Sequence, residues 1–131
     1  MSSHNASHDR LRQAALRGDI LEIEELLAAG VDANVGDASG FTALHLAAQE
    51  YQVDAARSLL DGGASVDRKN RFGNTPLFVA VFNSRGRGEM IRLLRSKGAD
   101  PNMENDNGQT PLGLARLIAN YDIEVYFSDL E

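Results

Sequence analysis

The sequence predicts an all-α solenoid of stacked helix-turn-helix units with projecting β-turn or hairpin fingers. Two short sequence markers carry this prediction. The first recurs, spaced by 33 and then 35 residues, at residues 40–47 (GFTALHLA), 73–80 (GNTPLFVA) and 108–115 (GQTPLGLA). The second recurs with the same spacings at residues 30–34 (GVDAN), 63–67 (GASVD) and 98–102 (GADPN). Two markers that shift together indicate repeated units that bury their apolar faces by stacking on one another.

The sequence of each unit predicts two helices. Thr42, Thr75 and Thr110 stand where a hydroxyl can accept a hydrogen bond from a first-turn amide, and proline follows two of them at the first helical position. Residues 53–60 then show the apolar spacing of a second helix. Glycine, which adopts the left-handed conformation without penalty, ends the second helices at Gly30, Gly63 and Gly98.

The residues of the segments that connect the units indicate turns. Residues 37–40, 70–73 and 105–108 each have Asp or Asn at turn position i and glycine at i+3. This is the signature of a type I turn, so each segment is predicted to project as a finger between helix pairs.

These features resemble the ankyrin repeat, and residues 42–48 (TALHLAA) and 98–102 (GADPN) come closest to that family's pattern. The resemblance covers about residues 9–130. It implies a concave surface of finger tips and first helices that binds proteins. It also implies that His45 is structural and hydrogen-bonds the loop of the neighbouring repeat.

The domain prediction is a disordered tail over residues 1–8 and a single repeat domain over residues 9–131. The predicted repeat boundaries are 9–38, 39–71, 72–106 and 107–131. The first and last repeats are predicted to be caps, because the first lacks the threonine-proline motif and the last has its second helix in an acidic segment near Asp122–Leu130. Asp19 is predicted to cap a helix, with Glu22 completing a capping box.

Two positions depart from the family's pattern. Tyr51 stands where the family usually has a glycine, which indicates either sequence drift with a small strain or an aromatic side chain exposed near the concave face. The third unit has two extra residues, near Ser84 and Arg85 within residues 83–88. This insertion is either a tolerated surface loop or a loop that contacts the partner.

No catalytic or metal-binding pattern is visible. Cysteine is absent, and the three histidines are His4 and His8 in the predicted tail and His45 in the motif. We therefore predict no enzyme activity, no cofactor and no metal. The polar first ten residues and the lack of an apolar run of about 20 residues favour a cytoplasmic chain with no membrane association.

Charge is unevenly distributed along the chain, whose formal net charge is −6. Residues 1–67 carry 11 acidic and 4 basic residues, residues 68–97 carry 1 acidic and 8 basic, and residues 98–131 carry 7 acidic and 1 basic. Five cations of the basic band are predicted to share one edge of the third repeat and to attract an acidic patch on a partner. They are Arg68, Lys69, Arg71, Arg85 and Arg87.

The residues predicted to contact a partner lie on the fingers, the first helices and the inserted loop. They are Asp37, Ser39, Phe41, Gln49, Glu50, Lys69, Arg71, Phe72, Asn74, Phe82, Asn83, Arg85, Arg87, Glu104, Asp106, Asn107 and Gln109. Phe72, at a finger turn, is either an interface anchor or packed on the neighbouring finger. Phe82 is either a contact residue or a filler beneath the inserted loop.

The functional prediction is a monomeric, non-catalytic module that binds a partner protein through the concave face of fingers and first helices. One form of it is a stand-alone inhibitor or immunity-type antagonist, a prediction that rests on analogy of fold. The alternative is binding of nucleic acid or another polyanion through the basic third repeat, which the acidic flanks would oppose.

Overall fold

The computed structural model describes residues 3–118 and 122–130, with side chains from Ala6 onward. Over these ranges the chain is helical and has no strand, which confirms the predicted fold class. The helices are α1 Ser3–Arg17, α2 Ile20–Ala28, α3 Ala43–Gln49, α4 Val53–Asp61, α5 Pro76–Phe82, α6 Glu89–Ser96, α7 Pro111–Leu117 and a 3₁₀ helix Glu124–Leu130. None of them is both long and apolar enough to span a bilayer.

The helices pack as two rows. The first helices α1, α3, α5 and α7 pack against one another in chain order, and the second helices α2, α4 and α6 do the same. The fingers are also joined side by side, because the amide of Arg71 donates to the carbonyl of Ser39 at 2.9 Å and the amide of Asp106 to that of Phe72 at 3.1 Å. Each unit therefore contacts its neighbours through helices and finger alike.

The first helices begin as the sequence predicts. The hydroxyls of Thr42, Thr75 and Thr110 each accept a hydrogen bond from the amide three residues on, and proline is the first residue of α5 and α7. Asp19 caps α2 in the same way. The predicted capping box with Glu22 is wrong, because the Glu22 carboxylate turns instead to Arg10 and Arg17 at 2.8 and 3.1 Å.

Alanines allow the first helices to pack closely. Ala14, Ala47 and Ala80 occupy equivalent places on α1, α3 and α5, and each is fully buried. Small side chains let helix axes approach, and the larger aliphatic residues fill the space towards the second row. The core formed in this way runs without a break from Leu11 to Phe127.

The first helix is longer than predicted. Residues 3–8 belong to α1, where the sequence analysis placed a disordered tail, and residues 1–2 lie outside the described part of the chain. Leu11, Ala14 and Ala15 anchor α1 in the core, and extending a helix that packing has already nucleated adds little cost per residue. The side chain of His4 also lies outside the described part.

The last unit closes the solenoid with the 3₁₀ helix. Ile123 and Phe127 are fully buried, while Val125 between them is exposed. Arg95 of α6 contacts the exposed side of the 3₁₀ helix. Its guanidinium binds both carboxylate oxygens of Asp129 at 2.7 and 2.8 Å and also donates to the carbonyl of Tyr126 at 2.9 Å. This bidentate contact lowers the pKa of Asp129.

Candidate functional site

A groove of about 310 Å³ lies on the first-helix row between α3 and α5. Its lining residues are Phe41, Gln49, Asn74, Phe78, Val79, Phe82 and Asn83. Three phenylalanines and a valine make most of this lining apolar. We call this feature the apolar groove.

A polar pocket adjoins the apolar groove at the end of α5. This second pocket, of about 220 Å³, shares Gln49 and Asn83 with the groove and is completed by Glu50, Arg85 and Arg87. We call it the arginine pocket. The two pockets adjoin at Gln49 and Asn83, and their combined lining is apolar along α5 and cationic where the inserted loop begins.

Phe82 is the most exposed side chain of the apolar groove. It is the last residue of α5 and keeps 70% of its surface accessible. The interpretation of Phe82 as a filler beneath the inserted loop is therefore wrong. An aromatic residue this exposed beside an apolar depression is the kind of feature that marks a binding surface.

The inserted loop has a defined conformation. Ser84 is buried and its hydroxyl donates to the carbonyl of Val81 at 2.9 Å, which fixes where the loop leaves α5. Arg85 and Gly86 then follow with φ angles of 51° and 84°. The left-handed conformation is ordinary for glycine but strained for arginine. The loop therefore displays Arg85 on a sharp and specific turn.

Tyr51 and Arg87 hold one side of this loop. The Arg87 guanidinium donates to the carbonyls of Ser84 and Asn83 at 2.9 and 3.1 Å and lies 3.9 Å from the ring centroid of Tyr51. The Tyr51 hydroxyl accepts a hydrogen bond from the amide of Met90 at 3.3 Å, in the first turn of α6. Tyr51 is thus a half-buried contact between two repeats, so its interpretation as an exposed aromatic is wrong, and burial raises the pKa of its hydroxyl. The small strain of the other interpretation is present, because Tyr51 has a left-handed φ of 57°.

Tyr126 of the 3₁₀ helix holds the other side of the loop. Its hydroxyl donates to the carbonyl of Gly86 at 3.1 Å, and Arg92 lies 4.7 Å from its ring centroid. A Cβ on Gly88 would fall 2.2 Å from the Tyr126 ring, so any other residue there would displace this ring. The insertion is thus clamped between the second repeat and the 3₁₀ helix.

His45 supports the groove from beneath. It is fully buried, and its Nε2 lies 2.8 Å from the carbonyl of Asn74 on the next finger, so the role that the resemblance implies is confirmed. Its Nδ1 accepts a hydrogen bond from the amide of Thr42 at 3.1 Å, which places the proton on Nε2. Burial lowers the pKa of His45, although the Asn74 contact and the charge of Asp37 oppose this shift.

The predicted finger residues form a separate surface. Lys69 is tied to the next finger by a 2.9 Å hydrogen bond to the carbonyl of Glu104, whereas Arg71 and Phe72 are exposed at the finger tip. Phe72 keeps 53% of its surface accessible. Because the finger precedes α5 and Arg85 follows it, the finger cations and the loop cations lie at opposite ends of a helix about 10 Å long. The prediction that they share one edge is wrong.

The structure brings together only part of the predicted set. The residues that line the two pockets are Phe41, Gln49, Glu50, Asn74, Phe82, Asn83, Arg85 and Arg87. Those that lie outside them are Asp37, Ser39, Lys69, Arg71, Phe72, Glu104, Asp106, Asn107 and Gln109. Phe78 and Val79 were not predicted; the available signal was that Phe78 occupies the place of His45 one repeat later.

One buried donor behind the fingers has no partner. Asn70 is 7% exposed and its side-chain oxygen accepts from the amides of Phe72 and Asn74, but its Nδ2 has no hydrogen bond to any described residue. In the next finger Asn105 donates from the same position to the Oδ1 of Asn74 at 2.8 Å. The residue equivalent to Asn74 one repeat earlier is Phe41, which offers no acceptor.

Asn70→Asp is therefore expected to raise the free energy of unfolding by about 1 kcal/mol, because it removes an unpaired buried donor and keeps both accepted hydrogen bonds. Asp37 already plays this role in the first finger, where its carboxylate accepts from the amides of Ser39 and Phe41. Urea denaturation followed by circular dichroism measures the change. Asn105→Asp is the matched control and should give no gain, because the amide of Asn105 is already paired. Equal effects of the two substitutions would contradict the assignment.

Comparison with known families agrees with this architecture. The family model for ankyrin repeats in three copies matches residues 11–105. The chain belongs to the ankyrin-repeat family. Ankyrin repeats are generally protein–protein interaction modules and are typically not catalytic. The described helices add a further pair, α7 with the 3₁₀ helix, beyond the matched range.

Three relatives show how widely this ankyrin unit is used. The chain is 39% identical over 114 residues to serine/threonine-protein kinase 12 of Arabidopsis thaliana, covering 87% of the chain and 24% of the kinase. It is 41% identical over 98 residues to the neurogenic locus Notch protein of Drosophila melanogaster, covering 74% of the chain and 4% of the Notch protein. It is 45% identical over 82 residues to the nuclear factor NF-kappa-B p105 subunit of Gallus gallus, covering 61% of the chain and 8% of that subunit. The chain thus spans less than a quarter of each of these relatives.

Proposed function

We propose that this ankyrin domain binds a partner protein through the apolar groove and the arginine pocket. The observation that carries the proposal is Phe82, an aromatic side chain 70% exposed at the edge of an apolar depression. Aromatic and arginine side chains dominate the binding energy of protein interfaces; Phe82 lines the groove and Arg85 lines the pocket that adjoins it. The exposed Phe72 and Arg71 at the finger tip offer a second contact on the separate finger surface.

The role of the complex is a further proposal. A stand-alone inhibitor or immunity-type antagonist would need only this binding surface, and the support for it is analogy of fold. The three relatives have the matched region within much longer chains, so an adaptor role within a larger protein fits equally well. That the chain acts in the cytoplasm and as a monomer stays a prediction.

The polyanion alternative gains little support from the basic residues of the third repeat. Arg95 and Lys97 pair with Asp129 and Asp61, while Arg87 and Arg92 lie over tyrosine rings. These cations are distributed over the turn and the second helix and do not form one stripe. Binding to a DNA duplex that fell steeply with added salt would favour this alternative.

Phe82→Ser is expected to leave the melting temperature nearly unchanged and to weaken partner binding by about tenfold or more, because Phe82 is exposed in the free protein and buried in the complex. Affinity capture from the native host identifies the partner, and calorimetry with the purified pair measures the affinity. Leu21→Ser is the matched control: Leu21 is 75% exposed on α2, away from the groove. Unchanged affinity for Phe82→Ser, or an equal loss for Leu21→Ser, would contradict the proposal.

A further inference from the structure

We infer that the partner segment is extended and carries an acidic side chain two positions away from the apolar residue that fills the groove. This inference rests on the proposed function and adds the chemistry of the partner. The arginine pocket forms the polar end of the apolar groove, and its lining includes two guanidinium groups and two side-chain amides. Guanidinium groups bind carboxylates with matched, bidentate hydrogen bonds.

Arg85 is available for such a contact. Its side chain is exposed and has no hydrogen bond or ion pair to any residue in the described ranges. Arg87, in contrast, is committed to the carbonyls of Ser84 and Asn83 and to the Tyr51 ring. We therefore assign the direct contact to Arg85 and a supporting role to Arg87, which fixes the loop and adds positive charge.

The charge of the arginine pocket fits one carboxylate. Arg85 and Arg87 contribute two positive charges and Glu50 one negative charge, and the Glu50 carboxylate accepts a 3.3 Å hydrogen bond from the amide of Gln49. A single carboxylate neutralises the remaining positive charge. A dianionic phosphate would leave an excess negative charge beside Glu50, so an Asp or Glu side chain is the better match.

The length of the groove fits an extended segment. The apolar groove follows α5, whose seven residues span about 10 Å. An extended chain covers this distance in about three residues, and its alternate side chains point to the same side. An apolar residue above Phe78 and an acidic residue two positions away would thus reach the groove and Arg85 together.

The backbone at Arg85 supports the same assignment. An arginine in the left-handed conformation is strained, and glycine would adopt the same φ of 51° without this strain. The Tyr126 and Tyr51 contacts hold the loop in place around it. Backbone strain of this kind occurs often at functional sites, and Tyr51, with a φ of 57°, shares it as part of the clamp on this loop.

The test uses three peptides as probes with the full chain labelled with nitrogen-15. The first is Leu-Ser-Leu-Ser-Glu, acetylated and amidated; the second has Gln in place of Glu; the third is the Gln peptide with a free terminal carboxylate. Amide chemical shifts report both the site and the dissociation constant. We expect the Glu peptide to shift the amides of Phe78, Asn83 and Gly86 and to bind about fivefold more tightly than the Gln peptide.

Arg85→Gly is the decisive variant. It is expected to keep or raise the melting temperature while bringing the affinities for the Glu and Gln peptides to the same value. Arg57→Ala, which removes an exposed cation from α4 in the second-helix row, should leave their ratio unchanged. A ratio near one in the unaltered protein, or a ratio that Arg85→Gly does not change, would overturn the inference.

The remaining outcomes separate this inference from the proposed function. If both peptides bind equally and Phe82→Ser abolishes both, the groove binds peptides but the acidic preference is wrong. If the free carboxylate peptide binds more tightly than the Glu peptide, the groove accepts a chain terminus and the inference of an acidic side chain fails. If none of the peptides shifts groove amides, and Phe82→Ser also leaves partner affinity unchanged, the inference and the proposed function both fail.

Discussion

Replacing His45 by leucine is expected to lower the free energy of unfolding by about 2–3 kcal/mol, because the buried Thr42 amide loses its acceptor and the Asn74 carbonyl loses one of its two donors. The Thr42 amide donates to Nδ1 at 3.1 Å and Nε2 donates to the Asn74 carbonyl at 2.8 Å. Leucine fills a similar volume but offers neither an acceptor nor a donor. Urea denaturation of the two proteins at pH 7 measures the difference. His45→Gln keeps a hydrogen-bond acceptor and a donor on one side chain, so it should lower the free energy of unfolding by less than His45→Leu.

The pH dependence of stability provides the internal check on this substitution. Because burial lowers the folded-state pKa of His45 below its ordinary 6.5, the unfolded chain takes up a proton first as the pH falls. Stability is therefore complete above about pH 6.5 and falls as the pH drops towards the folded-state pKa. In the leucine variant this contribution is absent, so its stability should change less between about pH 7 and 5. Identical pH profiles for the two proteins would show that His45 does not titrate on unfolding.

The helix ends could be predicted from the sequence because their determinants are local. Thr75 binds an amide three residues away, and glycine at position 63 needs no partner to adopt its φ of 104°. The finger turns follow the same logic, since Asp37 accepts hydrogen bonds only from residues within its own turn. Repetition of these signals at fixed spacing then determines the stacking order.

The candidate site could be predicted only in part, because its groove depends on contacts between repeats. Phe82 and Gln49 were found from their places on the first helices, but the sequence does not show that Phe78 and Val79 line the space between α3 and α5. Tyr51 illustrates the difficulty: its hydroxyl binds the amide of Met90, 39 residues away along the chain. No local pattern encodes such a contact.

Charge counted along the sequence was misleading for a related reason. The basic band of residues 68–97 is continuous in the sequence, but α5 separates its first residues from Arg85, and α6 carries its last ones to the second row. Several of these cations are also neutralised by residues far along the chain, as Arg95 is by Asp129. Only Arg85 and Arg87 lie beside the apolar groove and define its polar end.

Replacing Phe127 by alanine is expected to remove about 3–5 kcal/mol from the local stability of the last unit, because Phe127 is fully buried and the 3₁₀ helix has little other apolar contact with the core. Repeat proteins couple mainly through nearest neighbours, so the last unit can open while α3 to α6 stay folded. Hydrogen exchange resolved by residue is the appropriate measurement. Protection should be lost over residues 111–118 and 122–130 and largely kept in α3 and α4. Val125→Ala, on the exposed side of the same 3₁₀ helix, is the matched control and should change little.

The same Phe127→Ala variant tests whether the 3₁₀ helix fixes the geometry of the candidate site. Tyr126 donates to the Gly86 carbonyl and its ring lies against Gly88, so opening the 3₁₀ helix removes one side of the clamp on the inserted loop. Exchange at residues 85–88 should then accelerate together with exchange in the 3₁₀ helix. If the loop stays protected while the 3₁₀ helix opens, Tyr51 and Arg87 suffice to hold Arg85 in place. Coupled opening would instead mean that the last repeat, beyond capping the solenoid, positions the arginine that we assign to partner recognition.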